Sequence, residues 1–166
     1  NVDAEGQKYS YYRTESEGSK IDNVVAQGKI KIETADNAGG LFGYIAENTK
    51  VHNSRLIVNE SAGSLIKANN NIGGIVGELH GVLEQCAVEH DEAKQAEYDA
   101  LILDNYVERS YDNLFNKTEG YAYYVVSVGG LAGTSEDGVI LDSYVKVNVI
   151  QKQAYIAGGI VGYTQG

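Results

Sequence analysis

One cysteine, three histidines and 23 acidic residues are the side chains from which this 166-residue chain could build chemistry. Cys86, Val88 and His90 alternate onto one face of an extended segment, with His80 nearby in sequence. A thiolate–imidazole pair needs hydrogen-bond reach, whereas residues i and i+4 of a strand lie ~13 Å apart. Cys86 therefore reads as a small core residue. The acids are gathered: residues 84–104 hold Glu84, Glu89, Asp91, Glu92, Glu97, Asp99 and Asp104 against Lys94, which is six of the ten net negative charges. Glycoside hydrolysis needs two carboxylates converging across a groove, roughly 5–9.5 Å apart. Acids concentrated in one insertion, instead of recurring on one face of a fold, favour a non-catalytic reading over that one. H-E-x-x-H, C-x-x-C and G-x-S-x-G are all missing, and no Lys-Ser/Thr follows the glycine-rich blocks as a phosphate loop requires. Asn69-Asn70-Asn71 and Ser135-Glu136-Asp137-Gly138 are oxygen-rich but follow no calcium-loop pattern, and read as turns. The expectation is a non-enzyme with no catalytic residue, no cofactor and no metal-ligand set.

Partner contact is the remaining chemistry. Residues 91–101 combine good helix formers with acids at the start, and read as a short helix or structured loop. Loops carry function more often than the scaffold beneath them. Tyrosine is abundant at 13, with clusters at Tyr9, Tyr11, Tyr12 and at Tyr121, Tyr123, Tyr124. Adjacent strand residues point to opposite faces, so at least one tyrosine of each cluster should face solvent, able to stack on a sugar or dock a protein. Tyrosine also simply suits strands. The candidate contact residues are Asp91, Glu92, Glu97, Tyr98, Asp99, Tyr106, Tyr121 and Tyr123.

The elements that must position these residues are announced by glycine. Four copies of one block occur: Ala38-Gly39-Gly40-Leu41-Phe42-Gly43, Ile72-Gly73-Gly74-Ile75-Val76-Gly77, Val128-Gly129-Gly130-Leu131-Ala132-Gly133 and Ala157-Gly158-Gly159-Ile160-Val161-Gly162. Their first glycines are 34, 56 and 29 residues apart (73 − 39, 129 − 73, 158 − 129). Periods near 30 residues mark stacked repeats, and the long middle gap calls for an insertion or a degenerate repeat. A second block keeps the same period: aliphatic Ile21, Val51, Leu83, Ile140; then Asn23, Asn53, Gln85, Asp142; then small Val24, Ser54, Cys86, Ser143; then apolar Ala26, Leu56, Val88, Val145. The step between its two apolar positions is five, which breaks the period of 2 and demands a bend or bulge near the Asn. Helix is a poor alternative for the glycine blocks, since each glycine costs about 1 kcal/mol in a helix interior. The fold class is all-β: a parallel β-solenoid of about 30 residues per turn with an acidic, partly helical insertion. Ile102-Leu103-Asp104-Asn105-Tyr106-Val107 nearly copies Ile140-Leu141-Asp142-Ser143-Tyr144-Val145 and suggests an extra rung. Leu41, Ile75, Leu131 and Ile160 should form an inward aliphatic ladder.

Thirteen basic residues against 23 acidic ones argue against a nucleic-acid partner and an anionic membrane surface. No apolar run approaches the ~18 residues of a membrane span. The chain has no Met and opens on Asn1-Val2-Asp3-Ala4, so it is expected to be a piece of a longer protein. Its last glycine block is as apolar as the internal ones, so further repeats or another domain are expected to cover that end.

Both blocks, over residues ~21 to 166, resemble the GLUG motif of large bacterial surface proteins. Similar repeats occur in adhesins and in the non-catalytic N-terminal regions of Gram-positive immunoglobulin-A-cleaving zinc proteases. The long insertion departs from the usual pattern, and the proteases' zinc motif is absent. The resemblance implies a secreted or cell-surface, non-catalytic structural or adhesive module. Its loops would bind a host or extracellular-matrix protein or a glycan. The rivals are a substrate-binding exosite module of a surface protease and a carbohydrate-active parallel β-helix. Residues 1–20 read as an irregular lead-in or incomplete first turn, and 21–166 as the solenoid with its insertion at about 89–120.

Overall fold

At Asn23, Asn53, Gln85 and Asp142 the backbone is left-handed, with φ of 58°, 47°, 54° and 48°. Short polar side chains tolerate that conformation best, which explains the Asn and Asp at three of the four places. Each such residue reverses the inward–outward alternation, so the apolar residues five positions apart on either side both point inward. The computed structural model describes residues 18–34, 36–59, 64–92, 100–105, 127–152, 154 and 156–166.

Among the described residues, twenty strands form four turns of five. The first turn holds β1 (Lys20–Asp22), β2 (Val25–Gly28), β3 (Lys31–Glu33), β4 (Ala38–Gly39) and β5 (Phe42–Ile45). The second holds β6 (Lys50–His52), β7 (Arg55–Val58), β8 (Ser64–Ala68), β9 (Ile72–Gly73) and β10 (Val76–Leu79). The third holds β11 (Val82–Glu84), β12 (Ala87–His90), β13 (Ala100–Asn105), β14 (Ser127–Gly129) and β15 (Ala132–Glu136). The fourth holds β16 (Val139–Leu141), β17 (Tyr144–Lys146), β18 (Asn148–Gln151), β19 (Ile156–Gly158) and β20 (Val161–Gln165). Every strand pairs in parallel with its counterpart one turn away, giving five four-stranded sheets such as β1-β6-β11-β16 and β17-β12-β7-β2. This is a parallel β-solenoid.

The register reproduces the repeat alignment residue by residue. Ile21, Val51, Leu83 and Ile140 stack in one ladder, and Ala26, Leu56, Val88 and Val145 in another. The small position between them stitches turns together. The Ser54 hydroxyl accepts from the Val24 N–H at 3.2 Å and donates to the His52 carbonyl at 3.1 Å. Ser143 does the same for the Cys86 N–H, at 3.0 Å, and the Leu141 carbonyl, at 2.8 Å.

Glycine sets the thickness of the coil. A Cβ on Gly40 would lie 2.5 Å from Leu56 Cδ2, one on Gly74 2.7 Å from Val88 Cγ2, and one on Gly130 3.0 Å from Val145 Cγ2. The second glycine of the first three blocks thus faces the aliphatic ladder of the opposite wall, one turn on, whereas Gly159 of the fourth meets nothing within 4 Å.

Two expectations need correction. The described part of the segment 102–107, residues 102–105, is no extra rung: Ile102 of β13 lies between Leu65 of β8 and Ile150 of β18, the ordinary third-strand position. The likeness to 140–145 arises because every wall of a solenoid shows similar apolar alternation. The third turn is a single turn with longer connections, and the buried Leu101 and Leu103 inside the expected insertion belong to the core. Of the short helix or structured loop expected over 91–101, Ala100 and Leu101 belong to strand β13 instead, and 93–99 lie outside the described residues, as does most of the lead-in 1–20. The ladder of Leu41, Ile75, Leu131 and Ile160 forms through backbone bonds between neighbours, but its burial is uneven. Ile75 and Leu131 are fully buried, whereas Ile160 is 42% exposed, because among the described residues the fourth turn has a neighbour on one side only.

Candidate functional site

Of the expected contact residues, Asp91 and Glu92 are described, and both are engaged by other turns. The Gln27 amide donates to Asp91 Oδ2 at 3.0 Å, and the Asp91 N–H donates to the Val58 carbonyl at 3.1 Å. The Lys146 ammonium donates to Glu92. That bond holds the Glu92 carboxyl below its ordinary range and lifts Lys146 above its own. Glu97, Tyr98, Asp99, Tyr106, Tyr121 and Tyr123 lie outside the described residues. The pair that is described therefore ties the end of β12 to β2 and β17.

Other polar side chains of the outer face run in similar cross-turn ladders. Asn53 donates to Asn23 Oδ1 at 2.6 Å, along the left-handed corner. His52 Nδ1 lies 3.0 Å from Asp22 Oδ1, while its Nε2 lies 3.1 Å from Gln85 Oε1 on the opposite side of the ring. Lys50 pairs with Glu84 at 2.5 Å and Arg55 with Glu89 at 3.4 Å. Hydrogen bonds from Lys20 and Lys50 hold the Asp22 and Glu84 carboxyls below the usual carboxylate range. Exposed pairs of this kind add little stability. Their geometry instead favours one register over its slips.

Cys86 is inert by position. Its side chain is fully buried at the small repeat site, with Sγ within reach of the Glu84 carbonyl oxygen at 3.5 Å and the Val51 carbonyl oxygen at 3.6 Å, either of which can take the thiol proton. Burial pushes its pKa up, so the reactive thiolate is suppressed. His90, with Nδ1 3.0 Å from the Lys146 carbonyl, belongs to another network. Ellman's reagent at pH 8 should leave the native thiol unlabelled on a timescale that labels the urea-unfolded chain completely. Native labelling at the unfolded rate would place Cys86 outside the core.

One cluster stands apart. Glu78, His80 and Glu136 each offer one donor atom, and the three atoms lie within 4.8 Å of one another. Period-2 alternation turns Glu78 and His80 outward around the fully buried Leu79. The pairing Leu79↔Ser135, carried one residue on, sets His80 beside Glu136. Glu78 Oε1 lies 2.7 Å from His80 Nε2, while Asn37 Nδ2 donates to Glu78 Oε2 at 2.6 Å. The Tyr44 ring tilts over the His80 ring with centroids 5.1 Å apart.

This cluster was not expected from the sequence, where Glu136 reads as part of a turn. The signal was available: His80 follows Gly77 by three residues, and Glu136 follows Gly133 by three. Aligning the glycine blocks thus superposes His80 on Glu136, one turn apart. Comparison with protein-family models, with curated proteins and with solved structures finds no match to this chain. Among the described residues, no helix is long and apolar enough to cross a membrane.

Proposed function

We propose that the chain is a non-catalytic, adhesive module of a bacterial surface protein, whose solenoid displays the long connections of its third turn to a host or extracellular-matrix partner, protein or glycan. The observation that carries this reading is where the chain spends its length. Residues 91–99 join β12 to β13, and 106–126 join β13 to β14. The equivalent joints are 29–30, 59–63 and residue 147 for the first, and 34–37, 69–71 and 152–155 for the second. A scaffold gains nothing from such extensions in one turn alone, and loops held on rigid supports are where recognition residues concentrate. Both extensions flank the same strand, and they contain Glu97, Tyr98, Asp99, Tyr106, Tyr121 and Tyr123. Acids and tyrosines together suit a basic protein surface or a sugar face. The GLUG resemblance of the blocks supports the bacterial surface as the setting.

The test is a screen of the whole chain against a glycan array and immobilised matrix proteins. It is repeated with 93–99 and 106–126 replaced by Gly/Ser linkers. The replaced chain should keep its β-type circular dichroism while losing binding at least about tenfold. A partner that binds both chains equally would move recognition onto the scaffold and overturn the reading.

A further inference from the structure

We propose that Glu78, His80 and Glu136 form a site for a divalent transition-metal ion of the zinc class, on the outer face of the sheet β20-β15-β10-β5. One imidazole nitrogen and two carboxylate oxygens are a donor set suited to such ions, which bind them at about 2.0–2.2 Å. The three donor atoms already lie within 4.8 Å of one another, and Glu136 is exposed at the end of β15, free to close the remaining distance by a rotamer change.

Charge gives an independent reason. Among the described residues, no lysine or arginine pairs with Glu78 or Glu136, and the nitrogen base beside both is His80. Two carboxylates converging on one imidazole leave a local negative charge that a dication would balance. The supporting contacts fit as well. Asn37 holds Glu78 Oε2, leaving Oε1 on the His80 side, and Tyr44 packs against the imidazole ring. Outer partners that fix first ligands in this way are typical of metal sites.

Calcium is disfavoured, because it takes six to eight oxygen ligands and this set centres on a nitrogen. The other two histidines offer no equivalent. His52 meets its partners on opposite ring nitrogens, which cannot converge on one ion, and His90 Nδ1 faces a backbone carbonyl. Three protein ligands leave a fourth tetrahedral position open, and the ion would clamp the second turn to the third.

The experiment is isothermal titration of the whole chain with zinc chloride, and separately with calcium and magnesium chloride. Melting curves serve as the fold control. Zinc should bind one per chain and raise the melting temperature, while calcium and magnesium at the same concentration do neither. His80→Ala and Glu136→Gln should abolish zinc binding without lowering the metal-free melting temperature, and Asn37→Ala should weaken it about 10–100-fold. His52→Ala and His90→Ala should bind as the natural chain does. No zinc binding at millimolar concentration would overturn the assignment, as would undiminished binding by His80→Ala or preferential binding of calcium.

Discussion

Leu131→Ala should destabilise the chain by about 2–5 kcal/mol, the range for emptying a fully enclosed aliphatic site. Ile160→Ala, at the same position of the next turn, should cost less than half as much. Leu131 is fully buried in the third turn, with its carbonyl accepting from the Ile75 and Val76 N–H groups and its own N–H bonded to the Ile160 carbonyl. Packed between turns on both sides, the site has little room to collapse after truncation. Ile160 is 42% exposed, so its truncation removes less buried surface and leaves no closed cavity. Urea titrations of the two variants and the natural chain give the comparison. Equal losses would mean that burial does not follow turn order, and no loss for Leu131→Ala would contradict the stacking register.

A second pair should differ even more. Gly74→Ala should cost about 3 kcal/mol or more, the upper end for overpacking a rigid interior, whereas Gly159→Ala should fall within about 0.5 kcal/mol. A methyl group on Gly74 would approach Val88 Cγ2 to 2.7 Å and collide with the Gly130 carbonyl oxygen, which is backbone and cannot swing aside. Nothing lies within 4 Å of the same position on Gly159. Neither glycine has a left-handed φ, so the contrast isolates space from conformational strain. Thermal melts of the two variants should separate them clearly. A tolerated Gly74→Ala would mean that the walls of the coil stand further apart than the structure has them.

Part of this architecture is legible in the sequence alone. The ladders Ile21–Val51–Leu83–Ile140 and Ala26–Leu56–Val88–Val145 were legible, because each occupies a fixed offset from a polar corner residue and stacking demands the same chemistry at each level. The corner at Asn23, Asn53, Gln85 and Asp142 was legible from the odd step between apolar positions, since only a reversal of alternation keeps both inward. The place of Ile102 was not, because one apolar strand of a solenoid resembles another and only pairing with Leu65 and Ile150 distinguishes the walls. The exposure of Ile160 was hidden for a different reason: identical sequence positions differ in burial with their level in the stack. Glu78, His80 and Glu136 escaped notice because their nearness depends on register across a 56-residue gap between glycine blocks, not on local spacing.

Among the described residues, four turns in a single register underlie the scaffold and the Glu78–His80–Glu136 cluster alike. The most direct measurement places nitroxide labels on Val25→Cys and Tyr144→Cys, both exposed, in a Cys86→Ser background. That background change puts at position 86 the residue already found at Ser54 and Ser143. Val25, Arg55, Ala87 and Tyr144 stack at one level of the β17-β12-β7-β2 sheet. Three steps of ~4.8 Å therefore separate the labelled backbones by about 14 Å, and the spectrum of the doubly labelled chain should show strong dipolar broadening absent from either single label. A doubly labelled spectrum equal to the sum of the single ones would show that the first and fourth turns do not share this stack, and would contradict the account.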